Sequence, residues 1–384
     1  MHWKSSFWEV IREPCEYNHG FYSSANKAIV QLQPYQPGKP SDELERELDL
    51  TRISKLASNE NPLGPSEKIS TYLGHAFQDL TRYPDGSANQ LKQKLSELHQ
   101  VEIDQITVGN GSNDVLELVA RVFLGPGTQA IVAQHSFVVF SLVTLALDSQ
   151  LTIVPAVNYG QDLSATLAAV TPRTKMIFIA NPNNPTGTWL TEKAIREFLD
   201  ALPGHVIVVL DQAYFEYVVE SDYPDGIALS RAYPNLVVTR TFSKAYGLAS
   251  LRLGYAISHR DIADLMNRIR QPFNVNNMAL AAAMIALDDQ DYVNKSVQLN
   301  AAGMAQLSAM TSELGLQVIP SVGNFLCVDF GREAGSIYDG LLREGVIVRP
   351  VGLYELPNFL RVTIGTAEEN LHFFTALKKV LNKQ

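Results

Sequence analysis

Between about residue 85 and residue 270 the chain alternates short, uninterrupted apolar runs with longer segments of helical spacing. Seven runs are candidate strands: ITVG (106–109), AIVA (130–133), LTIVPAV (151–157), KMIFIA (175–180), VIVVLD (206–211), LVVTRT (236–241) and LGYAIS (253–258). A strand with one face in water alternates apolar and polar residues, whereas a strand covered on both faces reads as a continuous apolar run. KMIFIA and VIVVLD are of the second kind, so the pattern predicts an α/β fold: a mostly parallel sheet with helices on its faces. Ligands of such sheets sit at the carboxyl ends of the strands. GNGSND, NPNNPTG, DQAYFEY and TFSKAYG each follow a candidate strand directly, so one cleft can gather all four.

The flanking regions have other patterns. Residues up to about Pro40 are rich in aromatics, Pro and Gly, and PYQPGKP (34–40) reads as an extended, kinked arm, because the residue before each Pro is steered away from helix. SDELERELDL (41–50) has helical spacing with Ser41 as a cap, and KLASNENPLGP (55–65) ends in turn residues. Beyond about 275 come an Ala-rich helical segment (279–287), the candidate strands LQVIP, NFLCVDF, VIVRPV and LRVTIG, and HFFTALKKVL as a closing amphipathic helix, together a small α/β unit. The acidic run DDQD (288–291) reads as a solvated helix end. The expected organisation is an N-terminal arm and packing segment (1–60), a large domain (61–275) and a small C-terminal domain (276–384).

Composition narrows the class. With 46% hydrophobic and 18% charged residues the chain is globular rather than disordered. A formal net charge of -9 gives no general attraction to nucleic acid or an anionic membrane, so an anionic substrate needs a local arginine site. No run approaches the roughly 18 apolar residues of a membrane span, and the opening MHWKSSFWEVIREPCEYNHG carries charges within any apolar stretch. Cytoplasm is the expected compartment. Cys15 and Cys327 form neither a CxxC pair nor a disulfide framework, which fits a reducing compartment, and both read as ordinary small side chains. His135 has no partner at metal-ligand spacing and reads as structural, and no metal is expected.

In TFSKAYGLASLRLGY (241–255) a strand delivers Ser243 and Lys244 into a turn of small residues, and Arg252 follows eight positions later. A buried lysine there can lose its charge and act as an amine nucleophile. Taken alone, a lysine is a solvated surface charge, NNPTG is an ordinary turn, GNGSND is a tight turn, and Asp211 is a cap for the next element. They do not stand alone. With LASNENPLGP, RYPDGSANQLK, LDQAYFEY and FLRVTIGT in this order, the sequence resembles the fold type I pyridoxal phosphate aminotransferases, and within them the histidinol-phosphate aminotransferases, over nearly its whole length.

The resemblance implies a large domain with a mostly parallel seven-stranded sheet, a smaller C-terminal α/β domain and bound pyridoxal 5'-phosphate. Lys244 would carry the cofactor as a Schiff base and move the proton in catalysis. Asp211 would pair with the protonated pyridine nitrogen, an interaction on the order of 4 kcal/mol at about 4 Å and an effective dielectric of 20. Tyr214 and Asn184 would hydrogen-bond the ring oxygen. For the phosphate, Gly111, Ser112 and Asn113 would supply amides at a strand-to-helix turn, Thr241 and Ser243 hydroxyls, and Arg252 a cation. Phe137 in HSFVVF stands where the family places an aromatic over the cofactor, in many relatives a tyrosine; the departure removes a hydroxyl and keeps the π-face.

Tyr83 in RYPDG resembles the tyrosine that crosses a dimer interface to the neighbouring subunit's phosphate, which implies a homodimer, while the same residues also read as a turn. Arg361 in FLRVTIG and Arg349 in VIVRPV resemble arginines for the substrate's anionic group, and their forks suit carboxylate and phosphate alike. Tyr35 and Asn59 match positions that close over the substrate. The implied activity is a ping-pong amino transfer from a small-molecule amino donor to a 2-oxo acid, with histidinol phosphate and 2-oxoglutarate, in histidine biosynthesis, as the preferred pair. The alternatives are an aromatic amino-acid aminotransferase, a decarboxylase of a phosphorylated amino acid, and a cofactor-binding but catalytically silent regulator. The presence of Lys244 and Arg361 counts against the last.

Overall fold

Val and Ile dominate the apolar runs, and their branched side chains fit a pleated surface packed on both faces. In the computed structural model, which describes residues 20–30, 32, 39–48, 50–76 and 80–382, all seven runs become strands of one sheet. After a two-residue strand β1 (Ser54–Lys55), the chain lays down β2 (Ile106–Gly109), β3 (Gln129–Ala133), β4 (Gln150–Val154), β5 (Thr174–Ala180), β6 (Ile207–Asp211), β7 (Leu236–Thr241) and β8 (Gly254–Ile257). Their spatial order is β2-β8-β7-β6-β5-β3-β4. Neighbours pair parallel except at β8, which runs antiparallel to both β2 and β7. β4 is shorter than the run that predicts it: it stops at Val154, because Pro155 has no N–H for the ladder, and Val157 bridges Gly160 instead.

Alternate residues of the central strands feed two apolar layers, as the pleat requires. Ile177, Ile179, Val208 and Leu210 enter one, and Met176, Phe178 and Val209 the other. Burying each of the larger side chains contributes about 1.5–3 kcal/mol. The helix Asn277–Asp288 belongs to the first layer, since its buried Ala279, Ala282, Ala283, Ala286 and Leu287 pack there.

The second sheet comes from the C-terminal region. It contains β9 (Gln317–Ile319) and β10 (Phe325–Asp329), and then, after β11 (Val346–Ile347), β12 (Arg349–Pro350) and β13 (Phe359–Thr363). The order is β12-β13-β10-β9, antiparallel throughout, while β11 pairs in parallel with β1. Leu56, Leu326, Val362 and Phe373 share the core beneath it, so the segment that begins with β1 packs as part of this unit. The closing helix, Ala367–Asn382, covers the same core.

The helix expected in 41–50 forms as Ser41–Leu48 with Leu44 buried; of PYQPGKP only Lys39 and Pro40 lie within the described residues. One expectation is corrected. In DDQD, Asp288, Gln290 and Asp291 are exposed as a solvated helix end should be, but Asp289, at the junction of Asn277–Asp288 with the 24-residue helix Gln290–Glu313, is only 5% exposed. Its carboxylate accepts hydrogen bonds from Ser66 Oγ and, at 2.7 Å, Lys68 Nζ, and these hold its pKa below the usual carboxylate value. Among the described residues no helix is long and apolar enough to cross a membrane.

Candidate active site

The parallel strands all release their chains at one edge, and the turns there assemble the site. β7 ends at Thr241, and Lys244 follows in a turn closed by the Gly247 N–H donating to the Lys244 carbonyl at 2.9 Å. The Lys244 Nζ reaches the carbonyls of Ser58 and Asn59, at 3.0 and 3.2 Å, and lies 5.6 Å from the Tyr214 ring centre. Burial, aided by the positive charge of Arg361, pulls its pKa down to about 7. The amine is therefore available uncharged near neutrality, which a nucleophile needs.

Asp211 ends β6, opposite Thr239 in the register with β7, and its Oδ1 accepts from the Thr239 hydroxyl at 2.8 Å. Burial lifts its pKa to about 6. A buried carboxylate in this condition gains most from a cationic hydrogen-bond donor. Tyr214, three residues on, is buried with its ring edge-on to Phe325, and burial raises its phenol to about 12. Its oxygen accepts from Asn59 Nδ2 at 2.9 Å. Asn184, in the turn after β5, accepts on Oδ1 from Arg361 Nη1. Arg361 comes from β13, donates through Nη2 to the Ala57 carbonyl at 2.6 Å, and is 6% exposed, with no hydrogen-bond partner for Nε among the described residues. Its register partner on β12 is the half-buried Arg349.

Gly111, Ser112 and Asn113 form the start of the helix Ser112–Phe123. Arg252 closes over this turn. A Cβ on Gly111 would stand 2.5 Å from Arg252 Nη2 and displace it, and Gly111 has φ +87°, a backbone conformation that favours glycine. A Cβ on Gly254 would stand 2.4 Å from the Ser112 amide nitrogen, so glycine also lets β8 close on the helix start. Arg252 Nη1 donates to the Ala249 carbonyl at 3.0 Å and to Ser243 Oγ at 3.4 Å, while the Thr241 hydroxyl accepts from the Ser243 N–H at 3.1 Å. The Ser112 and Asn113 amides at the helix start, the Ser243 hydroxyl and the Arg252 guanidinium together make an anion cradle, while the Gly111 N–H donates to the Gly109 carbonyl at 2.8 Å and the Thr241 hydroxyl to the Leu253 carbonyl at 3.3 Å.

The other expected residues fall as follows. Phe137 precedes the helix Val138–Ala146, half-buried and edge-on to Phe140. His135 binds the Tyr354 carbonyl through Nδ1, a structural contact. Tyr83 is 80% exposed and stacks on Phe273 with ring centres 4.7 Å apart. Tyr35 and Cys15 lie outside the described residues. Cys327, buried in β10, donates its S–H to the Pro185 carbonyl at 2.9 Å, and burial raises its thiol to about 12.

Sequence reasoning missed three contributors. Thr363 and Asn324 both bond to Asn59, contacts that only the fold creates. Arg240 is 3% exposed on β7, with its guanidinium 3.3 Å above the Phe215 ring and bonded to Gln212 Oε1 at 3.1 Å. A charge inside the apolar run LVVTRT was the available signal for it.

The donor set fits pyridoxal phosphate: a half-buried amine with its pKa near 7, a buried carboxylate suited to a pyridinium, and a cradle for a phosphate. Fold and site define a transaminase, and the chain belongs to the family "Aminotransferase class I and II", whose model matches residues 51–377. It is 56% identical to histidinol-phosphate aminotransferase 2 of Pseudomonas fluorescens over 94% of this chain and 98% of that protein. It is 57% identical to histidinol-phosphate aminotransferase 1 of Idiomarina loihiensis over 92% of this chain and 97% of that one. Among solved structures it is similar to the histidinol-phosphate aminotransferase of Sinorhizobium meliloti in complex with pyridoxal-5'-phosphate, with a TM-score of 0.86 and 29% identity over 92% of this chain and 97% of that one. The resemblance read from the motifs therefore holds.

Proposed function

We propose that this enzyme uses pyridoxal 5'-phosphate to transfer the amino group of histidinol phosphate to 2-oxoglutarate in histidine biosynthesis, with ping-pong kinetics. The observation that carries the reading is Lys244, a half-buried amine with its pKa drawn to about 7, gathered with Asp211, Tyr214 and Arg361. The donor rests on the histidinol-phosphate aminotransferases to which the chain is 56% and 57% identical. When bound, the cofactor supplies an aldehyde for amines and a ring that takes up the electron pair released at the substrate α-carbon.

The chain's residues then have distinct tasks. Lys244 anchors the cofactor and, once displaced by the donor's amine, takes and returns the α-proton at Nζ. Asp211 holds a positive ring nitrogen, and Asn184 and Tyr214 hold the ring oxygen. Gly111, Ser112, Asn113, Thr241, Ser243 and Arg252 hold the phosphate, and Phe137 covers the ring face. Arg361 binds the substrate's anionic group, with Arg349 and Tyr35 around the substrate, while the buried Asn59 side chain, expected to close over the substrate, is instead held between Tyr214 and Thr363. Arg361 is already desolvated, with no partner for its Nε–H among the described residues, so an arriving anion meets little competition from water.

We assign the enzyme to the cytoplasm and to a homodimer in which Tyr83 reaches the partner's site. Supporting the dimer, Tyr83, Phe273, Leu80 and Tyr72 leave 80%, 45%, 64% and 45% of their surfaces exposed, a large apolar display for one chain. The division of the chain at 60 and 275 is proposed with one change: Asn277–Asp288 goes with the large domain, in whose core it packs.

Steady-state kinetics with histidinol phosphate, phenylalanine and tyrosine as donors to 2-oxoglutarate tests the assignment. A site with polar contacts for the phosphate should favour histidinol phosphate by about 100-fold or more in kcat/KM. Preference for an aromatic amino acid would overturn the donor, and release of carbon dioxide would overturn the reaction. Lys244→Ala should abolish turnover.

A further inference from the structure

Thr363 sits two residues beyond Arg361 on β13 and is 3% exposed. Its hydroxyl does two things at once, both to Asn59: it accepts the Asn59 N–H at 2.9 Å and donates its single proton to Asn59 Oδ1 at 3.1 Å. This fixes which way round the amide lies. In the reverse orientation Nδ2 would face the hydroxyl, whose buried proton would have no acceptor among the described residues. With Oδ1 held by Thr363, Nδ2 faces Tyr214 and donates to its phenol oxygen at 2.9 Å. The phenol oxygen is thereby an acceptor from Asn59, and its own proton is left for a second partner. Burial keeps that proton on at any working pH.

We propose that Thr363 is a positioning residue for the cofactor: acting through Asn59, it fixes the Tyr214 phenol as a hydrogen-bond donor to the cofactor's ring oxygen. This rests on the reading of Tyr214 given above and extends it to a residue in the second sheet. The strand that seats the substrate's anion through Arg361 thus also sets the polarity of a hydrogen bond on the cofactor. A donor to the ring oxygen lowers the proton affinity of that oxygen and of any nitrogen sharing its proton. Losing the donor raises it.

The test is the pH titration of the visible absorbance of the enzyme loaded with pyridoxal phosphate. Thr363→Val frees Asn59 to turn its Oδ1 toward the phenol, so the midpoint should rise by about one pH unit or more, a tenfold change in the proton equilibrium. Thr363→Ser keeps the hydroxyl and should restore the wild-type midpoint. Tyr214→Phe should raise the midpoint, and adding Thr363→Val to it should change nothing further, because both act on one bond. Thr363→Ala removes the same hydroxyl with no added bulk or charge, should raise it equally, and serves if Thr363→Val does not fold. A midpoint unmoved by Thr363→Val or Thr363→Ala while Tyr214→Phe moves it overturns the relay and leaves the role of Tyr214 standing, as do shifts that simply add. If Tyr214→Phe leaves the midpoint in place, the reading of Tyr214 falls and the relay with it.

Discussion

Replacing Asp211 with Asn separates what the carboxylate costs the cofactor-free protein from what it contributes to cofactor binding. Burial raises its pKa from 3.8 to about 6. Between those values the folded protein holds a proton that the unfolded chain has released, so the stability this group contributes is full below about pH 3.8 and is lost as pH rises through about 6. At 1.36 kcal/mol per pH unit the loss is about 3 kcal/mol. Asparagine carries no charge and still accepts the Thr239 hydroxyl. The cofactor-free variant should therefore be more stable than wild type by up to about 3 kcal/mol at pH 7, with the gap closing toward pH 4. Lys244 does not blur this window, because with its pKa near 7 it stays protonated in both states below pH 6. Cofactor binding should move the opposite way: a pair at about 4 Å and an effective dielectric of 20 is worth about 4 kcal/mol, or about three orders of magnitude in affinity. Urea denaturation of the cofactor-free proteins across pH 4 to 7, and equilibrium titration with pyridoxal phosphate, measure the two effects. A wild-type protein as stable as the variant at pH 7, or a gap that does not change with pH, refutes the reasoning.

Gly111→Ala should drive Arg252 off the turn, because the added Cβ would stand 2.5 Å from Nη2. Losing one charge-assisted bond at about 1.5–3 kcal/mol predicts pyridoxal phosphate affinity about 10- to 100-fold lower, and unchanged affinity in the same titration would refute the cradle. Asp289→Ala strips the buried Ser66 hydroxyl of its acceptor, while the exposed Lys68 ammonium stays solvated, so the protein should lose about 1–2 kcal/mol while kcat/KM stays within about twofold. Thermal melting beside an activity assay reads both, and an unshifted melt would contradict the buried role. Arg361→Lys keeps the charge but loses the planar fork that bonds Asn184 and Ala57, so KM for the anionic substrate should rise about 100-fold. A KM near that of wild type would remove Arg361 from the substrate site.

The large sheet was legible because its central strands, covered on both faces, write themselves as apolar runs, as KMIFIA and VIVVLD do. β4 came out shorter than its run because the run crosses Pro155. β1 was not legible: two residues show no alternation, and its partner β11 lies in a distant part of the chain. Asp289 was misread because acidic runs usually lie in solvent, and nothing local reveals that Ser66 and Lys68 fold back onto it. In the site, Lys244, Asp211, Asn184 and Tyr214 stood out through their motifs, each at the end of a strand. Thr363 lay inside the quoted FLRVTIG, yet nothing marked it there, because its work depends on a contact with Asn59 across 304 residues. Charge in an apolar run did mark Arg240, and the strand reading passed over it.

The pairing of β1 with β11 has a consequence during synthesis. The segment from Ser54 to Asn59 supplies β1, which pairs with β11, and carbonyls to Lys244, but its partners in β11 and β13 are made long after it. At about 5–20 residues per second, the 304 residues between Asn59 and Thr363 take roughly 15–60 s to translate. Throughout that interval the large sheet can form on the ribosome while the early segment waits with Leu56 and its β1 edge uncovered. The pocket is completed only once β13 has been made, so capture of the cofactor in its final seat comes after the strands of the large sheet are complete.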